Sequence, residues 1–466
     1  MEYTRGEVRA VLLACYVSGF IAPLLSTMMN LSLVYMGEEF GTGSHDLAYV
    51  NSAFLLTSVI FMVPFAKYAD IIGKKKMFIA GLLIVVLGCF VACLAPAFWV
   101  VILGRAVIGI GCASLATVSI SMLTDVVPKE KRGSAIGYNT MFIYMGLSLG
   151  PAIGGALNDL IGWRLLFLLS VPLAAASILI LMHGFRKEII VDEGGVMDTR
   201  SSIVYGVAIM LSMGGVMNLP ELWAIASVIA GLIVLAVFVK MQLGNEHCIL
   251  NMGLFRNATF TGSNIAAFMS YGSSYSISFF LALYLQSIGH LTATEAGLVM
   301  ITQPVIQCLF SPIFGKLTDR IQNKIILPTV GMAITSVAIY TYTTYTLDTP
   351  VSTVIMSMVI GGIGFSMFSA PNNTLIMSSV PREHTSEASG VLAVMRQTGM
   401  IVSMGIAMFF ISTIMGSTDN LGPETYGLFL QVMSLTMTVC LIMCIVGVFT
   451  SAMRGVNRPG ENYRDS

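Results

Sequence analysis

Long apolar stretches, each bounded by charged or turn residues, recur along the 466 residues. A helix needs ~20 apolar residues to cross a hydrocarbon layer about 30 Å thick. Read in order, the stretches predict fourteen spans. Six come first: Arg9–Met36, Ala48–Ala66, Met77–Leu94, Phe98–Val126, Ser134–Leu157 and Trp163–His183. Two follow a polar stretch, Ser202–Asn218 and Glu221–Met241, and six close the chain: Phe260–Leu285, Ala296–Lys316, Ile325–Thr346, Val351–Ser378, Ser386–Met415 and Tyr426–Ser451. The fold class expected is an all-α polytopic membrane protein. The first run is too long for a signal-peptide core and reads as an uncleaved span.

Charge placement tests the same spans. Apart from Arg105, Arg164 and Arg396, every Lys and Arg falls at a terminus or in a loop after an even-numbered span, and the odd loops carry acids but no Lys or Arg. By the positive-inside rule both termini are cytoplasmic. The chain is 56% hydrophobic and 10% charged, against roughly 25% charged in soluble domains, so the bilayer is its solvent. Twenty-four basic residues balance twenty-four acidic ones, which gives no electrostatic case for nucleic acid as a partner.

Two segments repeat. AKYADIIGKKK from Ala66 and GKLTDRIQNK from Gly315 each place a Lys three residues before an Asp; Arg132, Ala135 and Gly137 are echoed by Arg382, Ala388 and Gly390. The repeat predicts two six-helix bundles related by a pseudo-two-fold, residues 1–184 and 260–466, the second with a short cytoplasmic tail. Residues 185–259 form a linker carrying two inserted spans. In the fifth span Gly146, Gly150, Pro151, Gly154 and Gly155 spell G-x-x-x-G-P-x-x-G-G. Glycines four apart let another backbone approach, and proline removes a donor and bends the helix. Simple packing accounts for one such pair, but not readily for the whole string.

That string, the repeated Asp loops and the count of fourteen together resemble the major facilitator superfamily, specifically its fourteen-helix drug/proton antiporter family. GWRLLF from Gly162, LFRNATF from Leu254, Arg105 with Gly109 and Gly111, and Arg396-Gln397-Thr398-Gly399 also match. The resemblance implies a plasma-membrane carrier that exports amphipathic small molecules by alternating access, with protons as the coupling partner and no cofactor. It implies a conformational hinge in the fifth span and a cytoplasmic gate of Asp70, Gly73, Lys74, Lys75, Asp125, Asp319 and Arg320. In that gate Asp70 lies near the start of a helix of the opposite half. The gate loop departs from the family signature: Ala66, Tyr68 and Ile71 replace its glycine, leucine and first arginine, and Asn323 replaces the later glycine of the second loop.

Leu25 stands where relatives carry an aspartate in the first span, and every Asp and Glu falls in a loop or near a span end. An intramembrane acid is the usual proton carrier, so coupling by that route is not expected. Arg396, about 15 Å into its span at 1.5 Å per residue, and Arg105 lie at depth. Each either fixes helix packing or lines a water-filled cavity. With Asn30, Asn139, Tyr144, Tyr271, Gln303, Gln307 and Gln397 they are the candidate substrate or coupling residues. Without an acid beside these arginines, neutral or anionic amphiphiles should be preferred to quaternary cations. The five histidines show no metal-ligand spacing, and the Arg9–Met36 run offers no nucleophile elbow. A carrier of one endogenous lipid or metabolite, a membrane-embedded enzyme acting on a lipid carrier and a non-transporting sensor remain as alternatives.

Overall fold

The computed structural model describes residues 3–41, 44–245, 248–416 and 424–454. Among these are fifteen α-helices: α1 Arg5–Phe40, α2 Ser44–Ile72, α3 Lys74–Cys93, α4 Phe98–Val126, α5 Arg132–Leu166, α6 Ser170–Gly184, α7 Thr199–Val216, α8 Leu222–Gln242, α9 Ala258–Leu283, α10 Ala293–Met300, α11 Thr302–Arg320, α12 Ile326–Thr343, α13 Val351–Ser378, α14 Thr385–Phe410 and α15 Tyr426–Met453. The described residues contain no strand. Eleven spans among them are long and apolar enough to cross a membrane.

The helix count exceeds the fourteen expected because the tenth span divides into α10 and α11. Pro304 has no N–H to offer the Met300 carbonyl, and the ladder resumes with Val305 N donating to the Ile301 carbonyl at 3.0 Å. A second break falls at Gly162, whose φ of +76° lets the chain turn from α5 towards α6 where a side chain would be strained.

Within the N-terminal helices α1 packs on α5 and α6, α2 on α4, and α3 on α4. Within the C-terminal ones α9 packs on α14 and α15, and α12 on α13 and α15. One apolar core draws on residues 11–189; a second draws mainly on residues 205–444. The pair α7 and α8 pack on each other, and α7 also lies against α2 and α14. The N- and C-terminal groups meet along α5–α11, α2–α14, α4–α14 and α5–α13. Large apolar side chains such as Leu87, Trp99, Leu232 and Phe449 are exposed on the outside, as a lipid-facing surface requires.

The end carrying the Lys- and Arg-rich loops is called here the basic end. At the opposite end Glu39 Oε2 accepts from Trp163 Nε1 at 2.8 Å and Arg164 Nη1 at 2.6 Å. Arg164 also donates to the Ala95 carbonyl, which ties α1, α5 and the α3–α4 turn together.

Candidate functional site

At the basic end α2 runs into α3 through Gly73, whose φ is +108°. A side chain there would be strained and would also strike Glu188. The turn places Lys74 inside the bundle, fully buried. Its Nζ donates to Asp125 Oδ2 at 2.5 Å, Ser121 Oγ at 2.7 Å and Thr385 Oγ1 at 3.0 Å, and lies 3.6 Å from Asp70 Oδ1. An ammonium has three protons to donate, and three acceptors meet it. Two carboxylates flank its charge, and a buried ion is tolerated only where it is paired. Asp70, Lys74, Asp125 and Ser121 belong to the N-terminal group and Thr385 to α14, so the network crosses between the groups.

Two carboxylates extend the crossing in matching ways. Asp70 Oδ1 accepts from Ser386 Oγ at 2.5 Å, in the first turn of α14. Asp319, near the end of α11, accepts from Gly133 N and Ser134 N at 2.8 Å each, in the first turn of α5. In both cases a carboxylate from one group meets the positive end of a helix dipole in the other. The helices also come close beside each carboxylate. A Cβ added to Gly315 would lie 2.5 Å from the Gly133 carbonyl and 2.9 Å from Gly137 Cα, so α5 and α11 touch backbone to backbone. On α14 a Cβ added to Gly390 would lie 2.9 Å from the Ala66 methyl. Ala66 is where the family signature has glycine, and the missing side chain of Gly390 makes room for it.

Lys75 and Arg320 stand apart from this network. Lys75 Nζ donates to the Phe185 carbonyl and its backbone N–H to Glu188 Oε1, while Arg320 is exposed. The linker after α6 is bound to the same turn. Lys74 N donates to the Ile189 carbonyl, Val191 N and Asp192 N donate to the Asp70 carbonyl, and Lys67 Nζ donates to Asp192 Oδ2 at 2.8 Å.

The fifth-span glycines face α1. Cβ atoms added at Gly146 and Gly154 would lie 2.6 Å from the Phe20 carbonyl and 2.8 Å from Met28 Cγ, and one at Gly150 would strike Thr27. The string therefore packs two helices of the same group, whereas Gly133 and Gly137, nearer the start of α5, form the crossing to the other group. The side chains of Pro151 and Asn30, and the surroundings of Gly155, lie outside the described residues.

At mid-depth Tyr144, Tyr271 and Arg396 come together. The Phe365 ring lies edge-on to Tyr144 and Tyr271, with centroids 6.3 and 5.1 Å away. Arg396 Cζ lies 4.8 Å over the Tyr271 ring, within cation–π range. Tyr271 Oη is 3.3 Å from Ser369 Oγ, and Leu147, Cys308 and Met400 pack around the aromatic trio. Gln397 Nε2 reaches Ser58 Oγ on α2 at 3.4 Å. Counted from the basic-end termini of α5, α9, α13 and α14, the four large side chains lie ~16–20 Å deep at 1.5 Å per residue. They form one layer near the middle of a bilayer.

Other candidates are placed elsewhere. Arg105 is fully buried among N-terminal helices, where it donates to the Val50 carbonyl at 3.3 Å and Asn51 Oδ1 at 3.0 Å and lies 4.7 Å over Phe54. It fastens α4 to α2. Asn139 is buried on α5 against Gly19 of α1. Gln307 is buried on α11, with Gln303 half-buried one turn before it. Leu25 is fully buried in the N-terminal core. Ser121, Thr385, Ser386 and the strap Glu188–Asp192 did not emerge from the sequence. Hydroxyls inside apolar helices commonly bond their own helix, and the strap has no periodicity. The position of Thr385 and Ser386 just after the repeated Arg382 is the signal that pointed there.

Two groups of membrane helices, closed on each other at one end by buried charges and glycines and holding an aromatic and cationic layer between them, define a multi-pass membrane carrier. The chain belongs to the Major Facilitator Superfamily, which it matches over residues 15–244 and 264–462. It is a transporter and not an enzyme, as its relatives are. It is 25% identical to the riboflavin transporter RibZ of Clostridioides difficile over 86% of this chain and 87% of that one. It is 26% identical to the lincomycin resistance protein LmrB of Listeria monocytogenes over 93% and 94%. The multidrug resistance protein Stp of Mycobacterium tuberculosis is 23% identical over 85% of this chain and 74% of its own length. Among solved structures the human organic anion transporter MFSD10 superposes with a TM-score of 0.66 at 11% identity, covering 96% of this chain and 99% of that one.

Proposed function

We propose that the protein is a secondary exporter of amphipathic small molecules in the plasma membrane, with the basic end and both termini cytoplasmic. Residues 1–184 and 260–466 act as two bundles, fourteen spans in all with the inserted pair, that rock about the mid-depth layer. The observation that carries this reading is the Lys74 network with its Thr385 and Ser386 contacts. It joins the groups through polar bonds at the basic end, the kind of contact that can be made and broken in alternation. The cytoplasmic assignment rests on the positive-inside rule, and the outward direction on the fifth-span string and the resistance proteins among the relatives.

The substrates we propose are neutral or anionic. Arg396 supplies positive charge at mid-depth, the described carboxylates all lie in loops or near helix ends, and the rings of Tyr144, Tyr271 and Phe365 give the same layer an aromatic character. A carrier dedicated to one planar metabolite is the second reading, favoured by the riboflavin transporter among the relatives. Proton coupling, which the family implies, would then use a helix-end carboxylate, and Asp70 is the most deeply buried of those at the crossing. Proteoliposomes loaded with a lipophilic carboxylate or its quaternary ammonium counterpart, with and without a pH gradient, test both points. Faster export of the carboxylate, weakened by Arg396→Gln, is expected. Selective export of the quaternary cation would overturn the charge assignment.

A further inference from the structure

A cavity of about 1190 Å³ opens between the two groups at the basic end. Arg5, Arg9 and Lys131 line it from the N-terminal group, and Lys316, Arg320 and Arg382 from the C-terminal one. Its acidic lining is Asp125, Glu130 and Asp319, but two of these are committed, Asp125 to Lys74 and Asp319 to the amides of Gly133 and Ser134. Six cations thus face one uncommitted carboxylate, and a cleft lined by one sign of charge concentrates the opposite ion. The positive-inside rule accounts for basic residues at this end. It does not account for their convergence from both groups on one cavity.

A buried guanidinium beside the cavity makes the demand more specific. Arg132 is 3% exposed, and its Nε and Nη2 have no hydrogen-bond partner. It lies near enough to feel the charges of Arg382 and Asp125, both of which line the cavity. A buried charge without full pairing is expensive, so Arg132 adds positive charge behind the cavity wall, while the exposed guanidinium of Arg382 offers the lining a fork of N–H groups that matches the oxygens of a phosphate. Lys316 Nζ, from α11, lies 5.3 Å over the ring of Tyr138 on α5, so an aromatic wall stands beside the cations.

We propose that this cavity binds a phosphate-bearing anion, held by Arg382 and Lys316 of the C-terminal group and Lys131 of the N-terminal group with the charge of Arg132 behind them, which bridges the two groups and stabilises the closed basic end. The phosphate could be carried by a soluble organic phosphate or by a phospholipid headgroup, and the chemistry of recognition is the same. The site is independent of substrate identity and of the direction of transport.

Thermal unfolding of the purified full chain tests it in two arms. One adds glycerol phosphate in detergent at constant ionic strength; the other compares nanodiscs of phosphatidylglycerol and phosphatidylcholine. A higher midpoint in the first arm identifies a soluble phosphate, and one in the second a headgroup; either supports the site. The Lys316→Gln/Arg382→Gln variant changes exposed residues and should still fold. It should need at least about tenfold more probe, a loss of about 1.4 kcal/mol, or lose the phosphatidylglycerol shift. Arg200→Gln, an exposed cation outside the lining, should respond as the wild type does. No shift in either arm, an unchanged response in the double variant, or an equal loss in Arg200→Gln would overturn the proposal.

Discussion

Ser386→Ala removes one hydroxyl that works only across the crossing. Ser386 Oγ donates to Asp70 Oδ1 at 2.5 Å and lies 3.0 Å from Ser121 Oγ; Asp70 and Ser121 both belong to the N-terminal group. A hydrogen bond to a charged group contributes roughly 1.5–3 kcal/mol, and a tenfold change in an equilibrium is about 1.4 kcal/mol. If these contacts exist only while the basic end is closed, the closed-to-open ratio should fall about ten- to a hundredfold. A wild-type ratio near a hundred would become one that shows both populations. Spin labels at Lys129 and Glu383, exposed positions on opposite sides of the crossing, would report the two populations as two distances. Ser403→Ala is the control, because Ser403 bonds Ser276 N at 3.1 Å within the C-terminal group and should change stability without changing the distances. A folded Ser386→Ala protein with the wild-type distance distribution would refute the assignment of this contact as a latch.

Four further outcomes follow from the packing and the charges. Gly315→Leu should prevent the basic end from closing and leave label distances long, whereas Gly150→Leu should lower the unfolding midpoint of the N-terminal group, with overpacking costing about 1–3 kcal/mol, because it wedges α5 off α1. Arg105→Gln should lower thermal stability and leave the ratio of carboxylate to cation export intact; a selectivity change in a stable variant would return Arg105 to the cavity. Arg164, with Trp163, holds the Glu39 carboxyl below the ordinary carboxylate range. A depressed pKa contributes stability above the unfolded value that is lost as pH falls through the folded one. Glu39→Gln should therefore cost less than about 1 kcal/mol at neutral pH, as exposed pairs do, and nothing once the wild-type carboxyl is protonated, which unfolding midpoints across that range would check.

Eleven long apolar helices were legible because a bilayer imposes one long period on the sequence, and the Asp70 and Asp319 crossings because their loops repeat. Division of the tenth span was not legible: Pro304 sits inside an apolar run, where proline can either bend a helix or interrupt its ladder. Arg105 and Arg396 looked alike as buried charges, yet one meets a carbonyl and an asparagine on a neighbouring helix and the other an aromatic ring at the junction between groups. Depth can be counted along a sequence, but the face a side chain turns to its neighbours is decided by packing. The glycine string pointed to close approach without naming the partner, and α1 proved to be that partner.

The two crossings at the basic end differ by a single carbon. Where α2 meets α14 the space between helices holds the methyl of Ala66, whereas Gly315 and Gly137 leave α5 and α11 with nothing between their backbones. Volume is therefore kept by the pair and not by the position: Ala66→Gly alone opens a void, Gly390→Ala alone forces a clash, and the two together exchange the methyl from one helix to the other. A position-by-position reading of the loop scores Ala66 as decay of a motif. Read as a pair with Gly390, the same residue is a compensated substitution, and lineages of this carrier should vary at the two sites in concert.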